Sequence, residues 1–299
     1  KPSKSTKHTG VIPFLRSFEG ALKSSAQGGI RGASATCYLL LWHIEVMDLL
    51  VLKNNKGTPD SRVRKMDYAF QINNYLYNRL IERGEITLFS PSYKETPGLY
   101  EAFFADQSKF AELYEKYEAD TSIRKKVISA TELFSVLMTE RKETGRIYIF
   151  NVDNVNSNSC FKNSITTSNL CAEITLPTTP VASYEHSRES IPTNSLADFI
   201  KNLNEDIYLH SYKINSIDDK SIEMDIVRDK GLVALCTLAA INAGNIKNLG
   251  DLDKICRNAV RVLDNLLEYQ NYMVPAAKRH TMLYRPLGIG ITNLAYYLA

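Results

Sequence analysis

The residues best equipped for chemistry stand together in Ser168-Asn169-Leu170-Cys171-Ala172-Glu173-Ile174, where polar functional groups alternate with apolar side chains. In an extended backbone successive side chains point to opposite sides, so Asn169, Cys171 and Glu173 are expected on one face. An amide, a thiol and a carboxylate then form a row with neighbours about 7 Å apart. Such a row suits a cysteine that reacts with a small molecule held by its neighbours. Glu173 has the chemistry of a base, and Asn169 that of a group orienting a hydroxyl. The same residues also admit a plainer reading, a small buried core cysteine between solvated polar groups, and that is the commoner meaning of an isolated N-x-C-x-E.

A second segment, Ala26-Gln27-Gly28-Gly29-Ile30-Arg31-Gly32, carries three glycines, which accept backbone angles that other residues resist. After a helical pattern such a cluster is most often a turn. The cysteines are Cys37, Cys160, Cys171, Cys236 and Cys256, an odd and widely spaced set unlike a secreted disulfide framework. No two are spaced C-x-x-C, and no two histidines lie four apart, so no metal site is expected from this chain. The cysteines of such a cytoplasmic protein are either core residues or chemical ones.

The elements that must position these groups alternate between helical and strand-like patterns. Residues 13–25 carry Phe14, Leu15, Phe18, Ala21 and Leu22 at helical spacing. An apolar run at 37–42 reads as a buried strand and 44–52 as a helix. Strands are expected at 69–72, 86–89 and 147–152, and helices at 74–83, 99–118 and 129–141. Further short apolar runs lie at 174–176, 233–236 and 287–289. The strongest helical pattern of the last third is 252–272, with Ile255, Val260, Leu263, Leu266 and Leu267 on one side. This alternation argues an α/β domain with mainly parallel strands buried by helices. From 178 to 229 the chain is polar and reads as a long loop containing one amphipathic helix near 196–203; loops of that length are uncommon and usually functional or mobile.

Composition excludes several classes. Of 299 residues 44% are hydrophobic and 23% charged, ordinary for a globular protein, and the net charge is only +3. Lys and Arg are scattered, so no nucleic-acid-binding face is expected. Residues 1–10 lack the apolar segment of a signal peptide. The longest apolar stretch, 39–52, is interrupted by His43, Glu45 and Asp48, and a membrane span needs about 20 apolar residues.

Several stretches together resemble one family. They include His8-Thr9-Gly10-Val11-Ile12-Pro13-Phe14, the loop Gln27-Gly28-Gly29-Ile30-Arg31-Gly32 and Leu50-Val51-Leu52-Lys53-Asn54-Asn55. Next come Arg62-Val63-Arg64-Lys65-Met66-Asp67-Tyr68, Ile86-Thr87-Leu88-Phe89-Ser90-Pro91 and Gly145-Arg146-Ile147-Tyr148-Ile149. Ser168-Asn169-Leu170-Cys171, Ala234-Leu235-Cys236-Thr237-Leu238, Pro275-Ala276-Ala277-Lys278-Arg279 and Leu287-Gly288-Ile289-Gly290 complete the series. Over nearly its whole length the chain is similar to the large, catalytic alpha subunit of class I ribonucleotide reductases, of bacterial or phage type.

The resemblance implies an α/β fold in which residues 1–299 form part of a ten-stranded α/β barrel, two antiparallel halves of five parallel strands each. A finger loop, about 163–176 here, threads that barrel, and the polar stretch of about 178–229 is an insertion on its surface. It implies reduction of ribonucleoside diphosphates to deoxyribonucleoside diphosphates by thiyl-radical chemistry. Cys171 matches the radical cysteine, which takes the 3′ hydrogen of the ribose. Glu173 matches the base for the 3′-hydroxyl, and Asn169 the residue that holds the substrate hydroxyls. Cys236 matches one member of the cysteine pair oxidised to a disulfide as the 2′-hydroxyl leaves. Gln27, Gly28, Gly29, Arg31 and Gly32 match the loop between the substrate base and the allosteric effector. There glycines permit switching, and an amide and a guanidinium can read base edges. Cys37, Cys160 and Cys256 are read as structural.

By the same resemblance the chain binds no cofactor itself: a metal-containing small subunit supplies the radical, and dNTP or ATP effectors act on the complete protein. Thioredoxin or glutaredoxin re-reduces the complete enzyme. No residue here matches the second cysteine of the redox pair, the phosphate-binding loop, the tyrosine relay or the cysteine tail; Tyr296 and Tyr297 are read as packing residues. The chain is therefore expected to be an incomplete portion, a sequence fragment or a split subunit, inactive without upstream and downstream segments. The alternative is a non-catalytic structural or assembly piece of a split or interrupted reductase. The joint presence of Asn169, Cys171, Glu173 and Cys236 weighs against it.

Overall fold

A computed structural model of the chain describes residues 9–206, 208–218 and 220–299, with the backbone alone at Ala26 and Gln27. The chain divides into two compact units, Lys1–Thr175 and Leu176–Ala299.

In the first unit a helix, Ile12–Lys23, leads into a hairpin of β1 (Ala26–Gln27) and β2 (Arg31–Gly32). Five strands follow: β3 (Thr36–Leu40), β4 (Asp67–Ile72), β5 (Glu85–Phe89), β6 (Lys125–Ser129) and β7 (Ile147–Asn151). β3, β4 and β7 form a parallel sheet with β4 central, and β5 pairs with β6 antiparallel. β4 is buried at every position after Asp67, as expected of a parallel strand covered on both faces. The core around it is aromatic: Trp42, Phe70, Phe103, Phe110 and Tyr114 are all fully buried. Trp42 meets Phe103 edge-on at 5.8 Å between ring centroids.

The single helix expected over 99–118 is two helices, Leu99–Ala105 and Gln107–Ala119. Asp106 adopts an extended conformation between them, and its carboxylate accepts the Lys109 amide at 2.9 Å. An acidic N-cap of this kind starts a new helix more favourably than it continues an old one.

The second unit corrects a larger expectation. The polar stretch 178–229 is folded rather than a loop. β8 (Tyr184–Pro192), β9 (Leu209–Ile217) and β10 (Ser221–Asp229) form an antiparallel sheet in the order β8-β10-β9, with a helix at Leu196–Glu205. Its core is small: Ile191, Leu203, Ile222, Met224 and Ile226. The strict alternation of Ile222, Met224 and Ile226 with polar residues in β10 is the signature of a strand with one buried face. The module closes on itself, because Thr179 and Leu232 exchange both backbone hydrogen bonds at 3.0 Å.

Beyond the module, β11 (Leu238–Asn242) and β12 (Gly288–Thr292) pair parallel. The helices Leu252–Tyr269 and Pro275–Tyr284 lie between them in sequence. The apolar run at 233–236 is not a strand; the strand begins at Leu238, and 174–176 contributes only a bridge from Thr175 to Ser168. The α/β class and the parallel core sheet agree with the sequence. Among the described residues the strands lie in sheets of two or three and do not close into a barrel. No helix among them is long and apolar enough to cross a membrane.

Candidate active site

The Asn169-Leu170-Cys171-Ala172-Glu173 segment is a turn, not the extended row expected. Ala172 takes a left-handed conformation at φ 60°, and its amide donates to the Asn169 carbonyl at 3.2 Å. Ser168 and Thr175 form an antiparallel bridge across the base, where the Ser168 hydroxyl donates to the Ile174 carbonyl. The Asn169 carboxamide oxygen accepts the amides of Glu173 at 3.1 Å and Ile174 at 3.3 Å. Asparagine side chains compete with strand ladders for backbone amides, so Asn169 bends the segment that alternation alone would straighten. Cys171 and Glu173 are consequently exposed at the turn, and Asn169 braces it from a half-buried position.

The loop carrying this turn rests on the parallel sheet. From β3, the Thr36 hydroxyl donates to the Leu170 carbonyl at 2.6 Å and the Tyr38 hydroxyl to the Asn169 carbonyl at 2.8 Å. From β4, the Gln71 amide donates to the Thr166 carbonyl at 2.5 Å. Asn156 donates to the Ile165 carbonyl and accepts its amide. Sequence reasoning missed all four residues. The readable signal was modest: Gln71 is the one amide among the buried residues of β4 after Asp67, and Thr36 and Tyr38 share one face of β3. Burial pushes the Tyr38 hydroxyl's pKa up. A Ser168 hydrogen bond offsets part of that rise, while Tyr148, Glu173 and Cys171 add to it.

The glycine-rich segment is the β1–β2 hairpin, in which Gln27 pairs opposite Arg31. Gly28 and Gly29 turn it at φ 59° and 71°, angles that L side chains rarely adopt, and no neighbouring atom would crowd a side chain there. Glycine is thus required by the backbone conformation, not by space. Gly28, Gly29, Arg31 and Gly32 are exposed, and the Gln27 side chain lies outside the described residues. The hairpin runs on into β3, whose Thr36 touches the loop before Cys171.

Cys236 lies in the second unit, exposed, two residues before β11. The segment that delivers it is held by the helix Pro275–Tyr284. Arg279, only 3% exposed, donates to the Gly231 carbonyl at 3.2 Å and meets Asp229 at 3.4 Å. The Val233 amide donates to the Ala276 carbonyl at 3.1 Å.

Comparison with known families bears on this arrangement. Residues 2–299 match the family model described as ribonucleotide reductase, barrel domain. The chain belongs to that family. It is 48% identical over 295 residues to the ribonucleoside-diphosphate reductase subunit alpha of Haemophilus influenzae, covering 98% of this chain and 33% of the relative. The corresponding subunit of phage T4 is 43% identical over 299 residues, with 98% and 33% covered. The large subunit of Dictyostelium discoideum is 31% identical over 290 residues, with 96% and 28% covered. The chain thus spans about a third of the length of the curated relatives it matches.

The remaining cysteines of this reductase-family chain occupy different settings. Cys37 packs against the core of the first unit, where burial pushes its thiol up to about 11, so it is protonated at neutral pH. Cys160 is exposed in the segment before the Cys171 loop, and Cys256 is half-buried on the helix Leu252–Tyr269.

Proposed function

We propose that this chain carries the radical-cysteine portion of a ribonucleoside-diphosphate reductase alpha subunit and acts in a complete subunit with upstream and downstream segments. The observation that supports this most is Cys171, exposed at the tip of a braced turn anchored to a parallel sheet within a reductase barrel-domain chain. In the complete subunit β3, β4, β7, β11 and β12 would contribute strands to the ten-stranded barrel, with residues 163–176 as its finger loop.

In this reading the Cys171 thiyl abstracts the 3′ hydrogen atom: an S–H bond forms and a C3′–H bond breaks. The two bonds are of similar strength, so the transfer runs in both directions. Glu173 takes the proton of the 3′-hydroxyl. Asn169 has its oxygen committed to two backbone amides, so its amide N–H groups are what remain to hold a substrate hydroxyl. The 2′ C–O bond breaks and water leaves with a proton from the pair to which Cys236 belongs. That pair supplies two electrons and its second hydrogen, which forms the C2′–H bond as the pair becomes a disulfide, and Glu173 returns its proton to the 3′ oxygen. Cys171 returns its hydrogen to C3′ and is again the radical. Gln27 and Arg31, opposite each other on a glycine-turned hairpin, would read base and effector.

A metal-containing small subunit supplies the radical, thioredoxin or glutaredoxin the reducing equivalents, and a cytoplasmic setting the substrate. The test is a full-length alpha subunit in which this segment replaces the matching third of the Haemophilus influenzae relative, assayed with its small subunit and thioredoxin. Formation of dNDP is expected from this chimera and not from the isolated chain. Turnover by the isolated chain, or none by a folded chimera, would overturn the proposal.

A further inference from the structure

Few backbone bonds fix the loop that carries Cys171. Apart from the Ser168–Thr175 bridge, the turn at Ala172 and the Ser168 hydroxyl on the Ile174 carbonyl, the carbonyls of Thr166, Asn169 and Leu170 are held by side chains from elsewhere. Three donors come from two neighbouring strands. Thr36 and Tyr38, two apart on β3, donate to the consecutive carbonyls of Leu170 and Asn169, the two residues before Cys171. Gln71 on β4, in register with Leu40 of β3, donates to Thr166 farther back along the same loop. Spacing by two on a strand places Thr36 and Tyr38 on one face, so a single strand grips two successive peptide units.

We propose that Thr36, Tyr38 and Gln71 are positioning residues, a three-point clamp that fixes the backbone before Cys171 and so the place from which its sulfur reacts. The proposal rests on the reading of Cys171 as the reacting thiol. Hydrogen transfer is steep in distance, and a loop-borne sulfur must be held to a fraction of an ångström by groups themselves fixed on rigid elements. β3 is such an element, being paired to the buried β4 along its whole length. All three donors are uncharged groups directed at carbonyls. Burial keeps the Tyr38 hydroxyl protonated, and it therefore remains a donor across the working pH range. Asn156 differs, since it both donates to and accepts from Ile165 at the loop's entrance and closes a local turn.

The test uses the 299-residue chain. Thr36→Val and Tyr38→Phe remove one hydroxyl each and keep shape, and Thr36→Ser restores the donor at position 36. Hydrogen exchange by mass spectrometry and competitive alkylation of all cysteines are measured on each. Removing one donor is expected to speed exchange over residues 166–174 by about tenfold, with β4 and β8–β10 unchanged. The alkylation rate of Cys171 is expected to move by about threefold relative to Cys160, with Thr36→Ser matching the original chain. Unchanged loop exchange in both variants, or an equal rise in β4, overturns the clamp. Loop exchange that rises without any change at Cys171 overturns its connection to the thiol. If Tyr38→Phe fails to fold, Thr36→Val and its serine rescue decide the matter alone. Whether Cys171 is the radical carrier is read separately, from dNDP formation by a chimera bearing Cys171→Ser, so either reading can fail without the other.

Discussion

Replacing Met224 by alanine asks whether the polar stretch of the second unit is a folded module. Met224 is fully buried in β10, in register with Glu189 of β8 and Ile214 of β9. It is one of five buried side chains in that core, with Leu196, Phe199 and Leu209 packed around them. Truncation removes three heavy atoms beyond Cβ. At about 0.8 kcal/mol per buried methylene equivalent this is roughly 2.4 kcal/mol, and the cavity left behind brings the loss to about 3 kcal/mol. A core this small has little to rearrange, so the cost falls on the module as a whole. Since about 1.4 kcal/mol is a factor of ten, exchange of the β8, β9 and β10 amides should accelerate about a hundredfold. Exchange in β3, β4 and β7 should be untouched. Hydrogen exchange by mass spectrometry reads both regions in one experiment. An unprotected module in the original chain, or equal acceleration in β4 of the Met224→Ala variant, would refute the reasoning.

Other outcomes follow from single sites. Phe70→Ala, at a fully buried position of β4, should cost about 4 kcal/mol and lower the melting temperature of the first unit by about 10 °C in calorimetry. Gly28→Ala and Gly29→Ala should each cost about 1 kcal/mol in urea titrations because both glycines sit at positive φ, whereas Gly32→Ala should be near neutral. Cys37, held at about 11, should alkylate at pH 8 with only about a thousandth of its thiol ionised, and its rate should climb about tenfold per pH unit towards that value. His280 is fully buried and meets the Pro177 carbonyl at 3.0 Å, and burial lowers its pKa although that bond opposes the shift. Its unfolded form takes up a proton below about 6.5 while the folded form does not until lower pH, so stability should fall as pH drops through that value. His280→Gln should flatten this dependence in denaturation measured at pH 5 and pH 7.5.

The parallel core was legible because β4 is a nearly unbroken apolar run, which only a strand covered on both faces requires. The split at Asp106 was not, because the apolar spacing of the two helices continues across it and only the local cap separates them. β10 could have been found: Ile222, Met224 and Ile226 alternate cleanly, but the polar residues between them and the exposed β9 mask the pattern. At the site, residue types marked Cys171 and Glu173, yet the turn at Ala172 carries no glycine or proline to announce it. Thr36, Tyr38 and Gln71 were out of reach of local pattern altogether. They meet the loop across 134, 131 and 95 residues of sequence, a closeness that only the folded sheet creates.

The central claim is that Cys171 carries the reacting sulfur. It is tested most directly by dNDP formation from the full-length chimera, compared between Cys171→Ser and Cys160→Ser. The account predicts that Cys171→Ser abolishes product while Cys160→Ser, also at an exposed cysteine, turns over like the parent. Product from a folded Cys171→Ser enzyme at the parent's rate would contradict it.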